Sequence, residues 1–378
     1  MIHSIKLQNF KCFKNQEVYL NNLNLLTGIN GLGKSSVLQS LLLLRQNFNI
    51  GIFNDKENNN DLPDAILNGE LTNFGSASDI LYQYYEHNKI NIDIKFEKEE
   101  SLKWLLEVDD KIGDSVKSIS LEYNSEVPIN ERALFANNFH YLSAERLGPR
   151  EYYPTSSYQV ITKKQLGIRG EFIPYFLFLN ENEEIPIKEL KHLKEEGNTI
   201  IEQVNAWLQE IRPYTKIKPI GNSSMNLSSF RYTFYQEGGD IGKEFRPINV
   251  GFGLSYVLSL IVTILSSPKG SLLLFENPEA HLHPKGQTII GTLIALAASN
   301  GIQMIVETHS DHLMDGVRIA VKNKLISADK VKFHYFESVE NEIKIITPNL
   351  DQNGKLSEWP KGFFDQGLIN KAYLAKKD

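Results

Sequence analysis

Cysteine is nearly missing. The 378 residues contain one, Cys12, so neither an intramolecular disulfide framework nor a cysteine-ligated zinc site can form. Cys12 reads instead as a small packing residue of the first hairpin. Long apolar runs are missing too: no stretch approaches the roughly 18 apolar residues that a membrane-spanning helix needs, and no membrane anchor is expected. The opening Met1-Ile2-His3-Ser4-Ile5-Lys6-Leu7 alternates as a strand and lacks the charged-then-apolar order of a signal peptide, which points to the cytoplasm. A surplus of positive charge is lacking as well. Lys and Arg number 40 against 46 Asp and Glu, a net charge of −6, so the surface as a whole does not favour nonspecific nucleic-acid binding, although a local basic groove stays open. Internal repeats and useful coiled-coil heptads are absent. What is present, 41% hydrophobic and 23% charged residues, is the composition of a globular chain long enough for two or three cores.

One stretch stands out against this background. Gly28-Ile29-Asn30-Gly31-Leu32-Gly33-Lys34-Ser35 fits the phosphate-cradling pattern G-x-x-x-x-G-K-[ST] without a mismatch. Leu23, Leu25 and Leu26 before it run apolar as in a buried strand, and Val37 to Leu44 read as the following helix. Glycines let backbone N–H groups turn towards phosphates, and the helix start adds the positive end of its dipole. Lys34 is expected to reach the β- and γ-phosphates of ATP. Ser35 is expected to place its hydroxyl on Mg²⁺, which takes oxygen ligands beside substrate phosphates. Asn30, Gly31, Gly33 and Ser36 complete the candidate nucleotide-binding set.

Around this loop, residues 2–8 and 16–20 read as a hairpin turning at Asn15. Asn54 to Asp64 is polar and asparagine-rich, an exposed loop by composition, and Asp79 to Tyr85 reads as a short helix. From Lys89 to Tyr123, alternating runs such as Ile90-Asn91-Ile92-Asp93-Ile94 call for antiparallel strands with one wet face. Tyr141 to Arg150 is an apolar strand ending in charge. Arg146 and Arg150 there suit phosphate or nucleic acid, which a guanidinium grips bidentately, or equally a salt-bridged loop. Residues 181–197 carry charges of both signs and read as a solvated segment with a short helix. From Thr199, the residues Ile200, Ile201, Val204, Trp207, Leu208 and Ile211 fall at helical spacing, and Pro213 ends the element. Phe230 to Tyr235 reads as a strand.

Leu272-Leu273-Leu274-Phe275-Glu276 is a buried apolar strand ending in a carboxylate, the Walker B form, in which the acid holds Mg²⁺ through its waters. Glu276 is therefore the candidate metal residue. A helix is predicted over about 285–298, and Gln303 to Glu307 form a further strand that leads to Thr308-His309-Ser310. His309 then stands at the carboxyl edge of a parallel sheet, where ligands of α/β folds sit. His281, His283, His309 and His312 also admit a metal site.

Four segments now combine: the P-loop, Asn249-Val250-Gly251-Phe252-Gly253-Leu254-Ser255 opening a helix, Leu272 to Glu279 with His281-Leu282-His283-Pro284, and Glu307-Thr308-His309-Ser310. Together they resemble the motif series of ABC-type ATPase heads, above all the RecF/SMC-like ATPases similar to the overcoming-lysogenization-defect (OLD) proteins. The tail from Trp359 to Gln366 resembles the ending of a bacterial subgroup that has a small carboxy-terminal domain of unknown function. The resemblance implies an α/β fold: a P-loop ABC-type ATPase head with a mixed sheet and an inserted antiparallel β and helical lobe. Residues 1–53 would carry Walker A, 54–240 the lobe, 241–325 the signature, Walker B and switch histidine, and 326–378 a small module.

In such heads two subunits sandwich two ATPs. Carried over, Gly251, Gly253 and Ser255 of one copy would meet the γ-phosphate held by the other, with Gly251 or Ser255 in the place of the usual serine. His309 would be the switch histidine, and Ala280 to His283 the loop crossing the dimer interface. The common pattern has a glutamate after the Walker B acid to orient the attacking water; here Asn277 stands there. An amide cannot accept water's proton, so slow hydrolysis is expected, with Glu279 as the substitute acid. The implied role is an ATP-hydrolysing homodimer that gates a separate effector, a nuclease or toxin, in anti-phage defence. A DNA-repair ATPase that binds nucleic acid is the competing reading, and a small-molecule enzyme the third. OLD-like proteins commonly continue into a metal-dependent nuclease domain. After Ser310 the acids Glu337, Glu340, Glu342, Asp351 and Asp365 are spread through what reads as a strand pair and a loop, not the cluster that a two-metal nuclease needs. Trp359, Phe363 and Phe364 suit either that module's own core or a partner-binding spot.

Overall fold

Period-two alternation puts Ile5 and Leu7 of β1 (Ile2–Phe10) on one face with Ile92 and Ile94 of β5 (Lys89–Phe96) and Leu102 and Trp104 of β6 (Ser101–Glu107), all fully buried. The register lines them up in rows, Ile5–Ile94–Leu102 and Leu7–Ile92–Trp104. In the computed structural model these strands belong to a six-stranded sheet of order β2-β1-β5-β6-β7-β4, with β2 Phe13–Tyr19, β4 Ala65–Ile66 and β7 Ser115–Asn124. Every pairing in it is antiparallel. The structure describes residues 1–53, 62–109, 111–222, 224–236, 242–340, 342–360, 362–363 and 366–375. Most of the asparagine-rich loop, Phe364 and Asp365 lie outside the described residues.

The chain divides into two compact units, one made of Met1–Ala136, Val331–Asn349 and Leu356–Asp378, the other of Asn137–Lys330 with Leu350–Lys355. In the first, β3 (Leu23–Gly28) buries Leu23, Leu25 and Leu26 completely. It runs parallel to β15 (Val331–Val339), from Leu23 beside Val331 to Gly28 beside Phe336, and β15 pairs antiparallel with β16 (Glu342–Ile346). α1 (Lys34–Asn49) follows the P-loop, and α7 (Gln366–Leu374) lies near the end of the chain. An aromatic cluster fills the core: Phe48 and Phe135 have centroids 4.8 Å apart, and Phe53 meets Trp104 edge-on at 5.3 Å. A fully buried phenylalanine contributes about 1.5–3 kcal/mol; Phe53 and Phe135 are buried and Phe48 half-buried. Arg45 enters the same region, and its guanidinium donates to the carbonyls of Leu134 and Ala136.

Two local expectations are corrected in this unit. The first hairpin turns at Lys11 and Cys12, with Phe10 and Phe13 its last pair, rather than at Asn15. Both phenylalanines are buried, and Lys11 takes the left-handed backbone that closes the turn. The helix expected from Asp79 to Tyr85 shrinks to one 3₁₀ turn, Ala77–Ile80, with a Ser76–Asp79 capping box. Beyond it the backbone pairs with the hairpin instead: Lys11 N–H donates to Ile80, and Tyr82 N–H to Asn9.

In the second unit β13 (Leu272–Glu276) lies between β14 (Gln303–Glu307) and β8 (Phe139–Leu142), all parallel. Leu272 to Phe275 are fully buried, as a parallel strand covered on both faces requires. α4 (Phe252–Ser266) precedes β13, α5 (Pro284–Ser299) makes the crossover to β14, and α6 (Asp311–Lys322) follows it. A smaller antiparallel sheet joins β9 (Tyr153–Pro154), β10 (Thr215–Asn222), β11 (Leu227–Phe234) and β12 (Glu244–Phe245) around β11. Two helices accompany it, α2 (Ile173–Asn180) and α3 (Ile200–Ile211). Thr199 and Glu202 cap α3 reciprocally. Residues 181–197 are less solvated than their charge implies, because Ile185, Ile187 and Leu190 are buried there. Among the described residues no helix is long and apolar enough to cross a membrane.

Candidate functional site

β3 delivers the chain to Gly28, whose φ of 127° suits glycine alone, and a Cβ there would stand 2.3 Å from the Phe336 carbonyl oxygen. Gly33, at φ 90°, is the N-cap of α1. It has no side chain to accept from the first-turn amides, and no acidic residue occupies that turn. With neither a capping side chain nor an acid there, the positive end of the helix dipole favours an anion. Lys34 is buried, and its Nζ donates to the carbonyls of Gly28 at 3.0 Å and Ile29 at 2.8 Å, which holds the ammonium over the loop. Asn30 and Gly31 are exposed, Ser35 is half-buried and Ser36 is buried. The Cys12 thiol, pushed up by burial, lies 3.8 Å from the Ser36 hydroxyl at the back of the loop.

In the other unit Glu276 ends β13 in register with Glu307 of β14. Burial raises the pKa of its carboxyl group, against the Ala144 N–H, 3.2 Å from Oε2, the Tyr141 hydroxyl and the Arg146 charge. This half-buried carboxyl offers oxygens of the hard class that Mg²⁺ takes, and a cation beside it would offset the burial that disfavours its charge. Arg146 is only 2% exposed. Its Nη1 donates to the Ser143 carbonyl at 3.2 Å and the Glu276 carbonyl at 2.8 Å, and its Nη2 to the Asn277 carbonyl at 2.6 Å. The expectation of phosphate or nucleic acid at Arg146 is corrected: its fork faces the protein's own carbonyls. Arg150 remains exposed.

The residues after Glu276 are held tightly. Asn277 sits at φ 45°, a left-handed conformation that asparagine tolerates better than most residues, and its N–H donates to the Glu307 carbonyl at 2.9 Å. Glu279 is buried, and both its oxygens are engaged: Oε2 accepts from the Thr308 hydroxyl and Oε1 from the His309 N–H, each at 2.8 Å. The carboxylate therefore fixes the backbone that carries the exposed His309 ring.

Residues 23–315 match the family described as "AAA domain, putative AbiEii toxin, Type IV TA system". The chain belongs to this AAA-domain family. Residues 326–374 match a second family, "Protein of unknown function (DUF3696)". No curated protein matches the sequence. Among solved structures, an SMC head bound to the C-winged helix domain of ScpA is similar at 14% identity and a TM-score of 0.54, over 92% of this chain and 98% of its own. An SMC head with an extended coiled coil, bound to the C-terminal domain of ScpA derived from Pyrococcus furiosus, is similar at 11% identity and a TM-score of 0.51, over 100% of both chains. These likenesses show the fold: a mixed α/β architecture with mixed and antiparallel sheets, like that of SMC head structures.

In this AAA-domain chain the signature-like segment opens α4, whose N-cap is Gly251, again with no side-chain cap and no acid in the first turn. Around Gly251 there is open space, whereas a Cβ on Gly253 would lie 2.5 Å from the His281 carbonyl oxygen. Ser255 is 7% exposed with its hydroxyl 3.5 Å from that of Tyr232, so it faces the interior. Gly251, Gly253, His281, His283 and Arg212 share one cleft of about 440 Å³, where the Arg212 guanidinium stacks 3.5 Å from the centre of the Phe234 ring.

His283 caps α5 through Nδ1, which accepts from the Lys285 N–H, and His312 lies on α6. Among the described residues no group of three or more His, Cys, Asp and Glu side chains is arranged to hold a metal ion. In the tail Phe363 is fully buried, edge-on to Tyr335 at 5.2 Å, and the part-exposed Trp359 packs on it at 5.1 Å. Sequence reasoning missed Tyr141 and Thr308, which support Glu276 and Glu279. Both lie inside motifs that were read for other residues.

Proposed function

We propose that this AAA-domain chain is an ATP-driven switch: a homodimer closed by ATP that controls a separate effector, a nuclease or toxin, in bacterial anti-phage defence within the cytoplasm. One observation carries the reading. α3, α5 and α6 each begin at a side chain that accepts from their own first turn, Thr199, His283 and Ser310. α1 and α4 begin at glycines and have no acid in the first turn, and α2, which also lacks a capping side chain, begins at Phe172 with Pro174 in its first turn and so offers one N–H fewer. Two glycine-led helix starts with neither a capping side chain nor an acid suit an ATP sandwich, one for the phosphates bound in cis and one for the γ-phosphate of a second copy.

In this reading Lys34 and the first-turn amides of α1 grip the phosphates, with Asn30, Gly31, Gly33 and Ser36 shaping the loop. Magnesium, when bound, neutralises charge on the β- and γ-phosphates, and Ser35 and Glu276 supply the oxygen donors that suit it. Asn277 orients water without accepting its proton, which keeps hydrolysis slow. Glu279 acts as a positioning residue for His309, which supports the γ-phosphate. Gly251 and Gly253 present the trans contact, and Ser255 braces α4 from within. The boundaries 1–53, 54–240, 241–325 and 326–378 are the corresponding functional divisions, the last a docking module. The toxin–antitoxin wording of the family supports the defence reading.

The test is a mass measurement with and without ATP, run beside an ATPase assay. Wild type should associate with ATP. Lys34→Ala should neither bind nor associate, Glu276→Gln should bind and stay associated without turnover, and Gly251→Arg should bind ATP as a monomer. A mass indifferent to nucleotide in all four would overturn the switch. Nucleic acid that co-purifies and stimulates turnover would favour the repair ATPase.

A further inference from the structure

The first unit has a second concavity that the ATPase chemistry does not use, a cleft of about 500 Å³. Its floor is the outward face of the six-stranded sheet and its wall the segment from Tyr82 to Lys89. Along one cross-strand row the register sets Asn15, Gln8, Asn91, Leu105 and Ser120 side by side. The three amides orient one another: Gln8 Nε2 donates to Asn15 Oδ1 at 3.3 Å, and Asn91 Nδ2 donates to Gln8 Oε1 at 3.0 Å. Amides locked in this way offer fixed donors and acceptors, which reads a planar polar edge better than a set of free rotors does.

The wall is aromatic and equally fixed. Tyr84 is 64% exposed and Tyr85 36%. Tyr82 is buried and braces Tyr84 edge-on at 5.7 Å, while the Lys111 ammonium lies 4.8 Å from the centre of the Tyr85 ring and donates to its hydroxyl. Asn9 ties the segment to the sheet, its Nδ2 donating to the carbonyls of His87 at 2.7 Å and Lys89 at 2.8 Å. Charge in the cleft is largely compensated. Lys14 pairs with Glu86 at 3.2 Å, and Lys103 stands in register between Asp93 and Glu122. The volume is that of a ligand pocket, roughly 300–1,000 Å³, and this lining favours an occupant that is flat, polar and neutral where it is held.

We infer that this cleft binds a nucleobase, stacked on Tyr84 or Tyr85 with its edge on the Asn15–Gln8–Asn91 amides. The inference stands apart from the ATPase reading. A free nucleoside or nucleotide and a base splayed from a single strand share this chemistry, and the experiment separates them. The full chain carrying Lys34→Ala, so that the P-loop does not compete, is titrated with the four ribonucleosides, which lack phosphate. It is also titrated with fluorescein-labelled single-stranded DNA and RNA of about 12 nucleotides, an oligomer long enough to cover one stacking platform.

Saturable binding of nucleosides identifies a free ligand; binding of oligonucleotides alone identifies a strand. In either case Tyr84→Ala with Tyr85→Ala should weaken binding roughly 5- to 150-fold, the range for loss of one base–aromatic stack. Tyr84→Phe with Tyr85→Phe should keep it, which separates lost stacking from lost folding. Absence of binding in both arms, or binding unaffected by the alanine pair, overturns the inference. So does duplex DNA bound as tightly as single strands.

Discussion

Arg146→Met is the perturbation that most directly tests how the Walker B segment is held. Arg146 is buried, and burial pulls its pKa down to about 10. The fall from its ordinary value corresponds to about 3 kcal/mol at 1.36 kcal/mol per pH unit, the excess of burial over the opposing pull of Glu279, Tyr256 and Glu276. Against that cost stand three hydrogen bonds from a charged donor, to the carbonyls of Ser143, Glu276 and Asn277. Bonds from a charged donor contribute about 1.5–3 kcal/mol each, already net of desolvation, so the clamp stabilises although Arg146 Nε is buried without a partner among the described residues. Arg146→Met removes the bonds and the cost together and leaves two carbonyls at the end of β13 without their donor. Urea unfolding should show a loss of about 2–5 kcal/mol, in the range of broken buried polar networks. ATP affinity, which the proposed function places at the P-loop, should hold while single-turnover hydrolysis slows. Arg146→Lys should recover only part of the stability, because a compact ammonium cannot fork to two carbonyls. If Arg146→Lys matched wild type in stability and turnover but lost affinity for phosphate or nucleic acid, the side chain would be a ligand group and the clamp would be refuted.

Three further outcomes are expected. Asn277→Gly should leave stability nearly unchanged, whereas Asn277→Glu should cost about 1–2 kcal/mol in thermal unfolding from the left-handed backbone while speeding single-turnover hydrolysis; no gain in rate would show that another group handles the water. Glu279→Gln should raise KM little and lower kcat, because a neutral amide still bonds the Thr308 hydroxyl yet supports the His309 N–H less well; an unchanged kcat would remove Glu279 from the mechanism. His334 is fully buried, its Nε2 lacks a hydrogen-bond partner among the described residues, and burial lowers its pKa from 6.5 to about 3. The unfolded chain therefore binds a proton that the folded chain refuses between those values, so stability should fall as pH drops below 6.5, by up to about 1.4 kcal/mol per pH unit. His334→Phe should flatten that slope, and an unaltered slope would place the acid sensitivity elsewhere.

Much of the second unit was legible because its signals are local. The apolar runs of β13 and β14 have the bounds read from the sequence, and α3 starts at the Thr199–Glu202 box that its text contains. β10 contains Pro219, which argues against a central strand; among the described residues β10 is an edge strand, paired with β11. The hairpin turn at Lys11 and Cys12 has no turn residue to announce it, and its position follows from burying Phe10 and Phe13. At the candidate site the residue types were readable and their duties were not. Arg146 looks outward in the sequence because nothing local says that the carbonyls it meets lie 130 and 131 positions away. Ser255 likewise reads as a surface contact until Tyr232 is found against it.

The pairing of β3 with β15 has a consequence for how the protein is made. The Thr27 hydroxyl and the His334 carbonyl it donates to are 307 positions apart. A ribosome adding about 5–20 residues per second leaves roughly 15–60 s between them. Throughout that interval the strand that presents the P-loop waits for β15 to be synthesised. A nascent chain halted between Ser310 and Val331 already spells out the P-loop, the signature, Walker B and the histidine, and still lacks that neighbour. Premature termination or proteolysis in that window should therefore yield fragments that hold every nucleotide motif but lack the strand that pairs with β3 along its whole length.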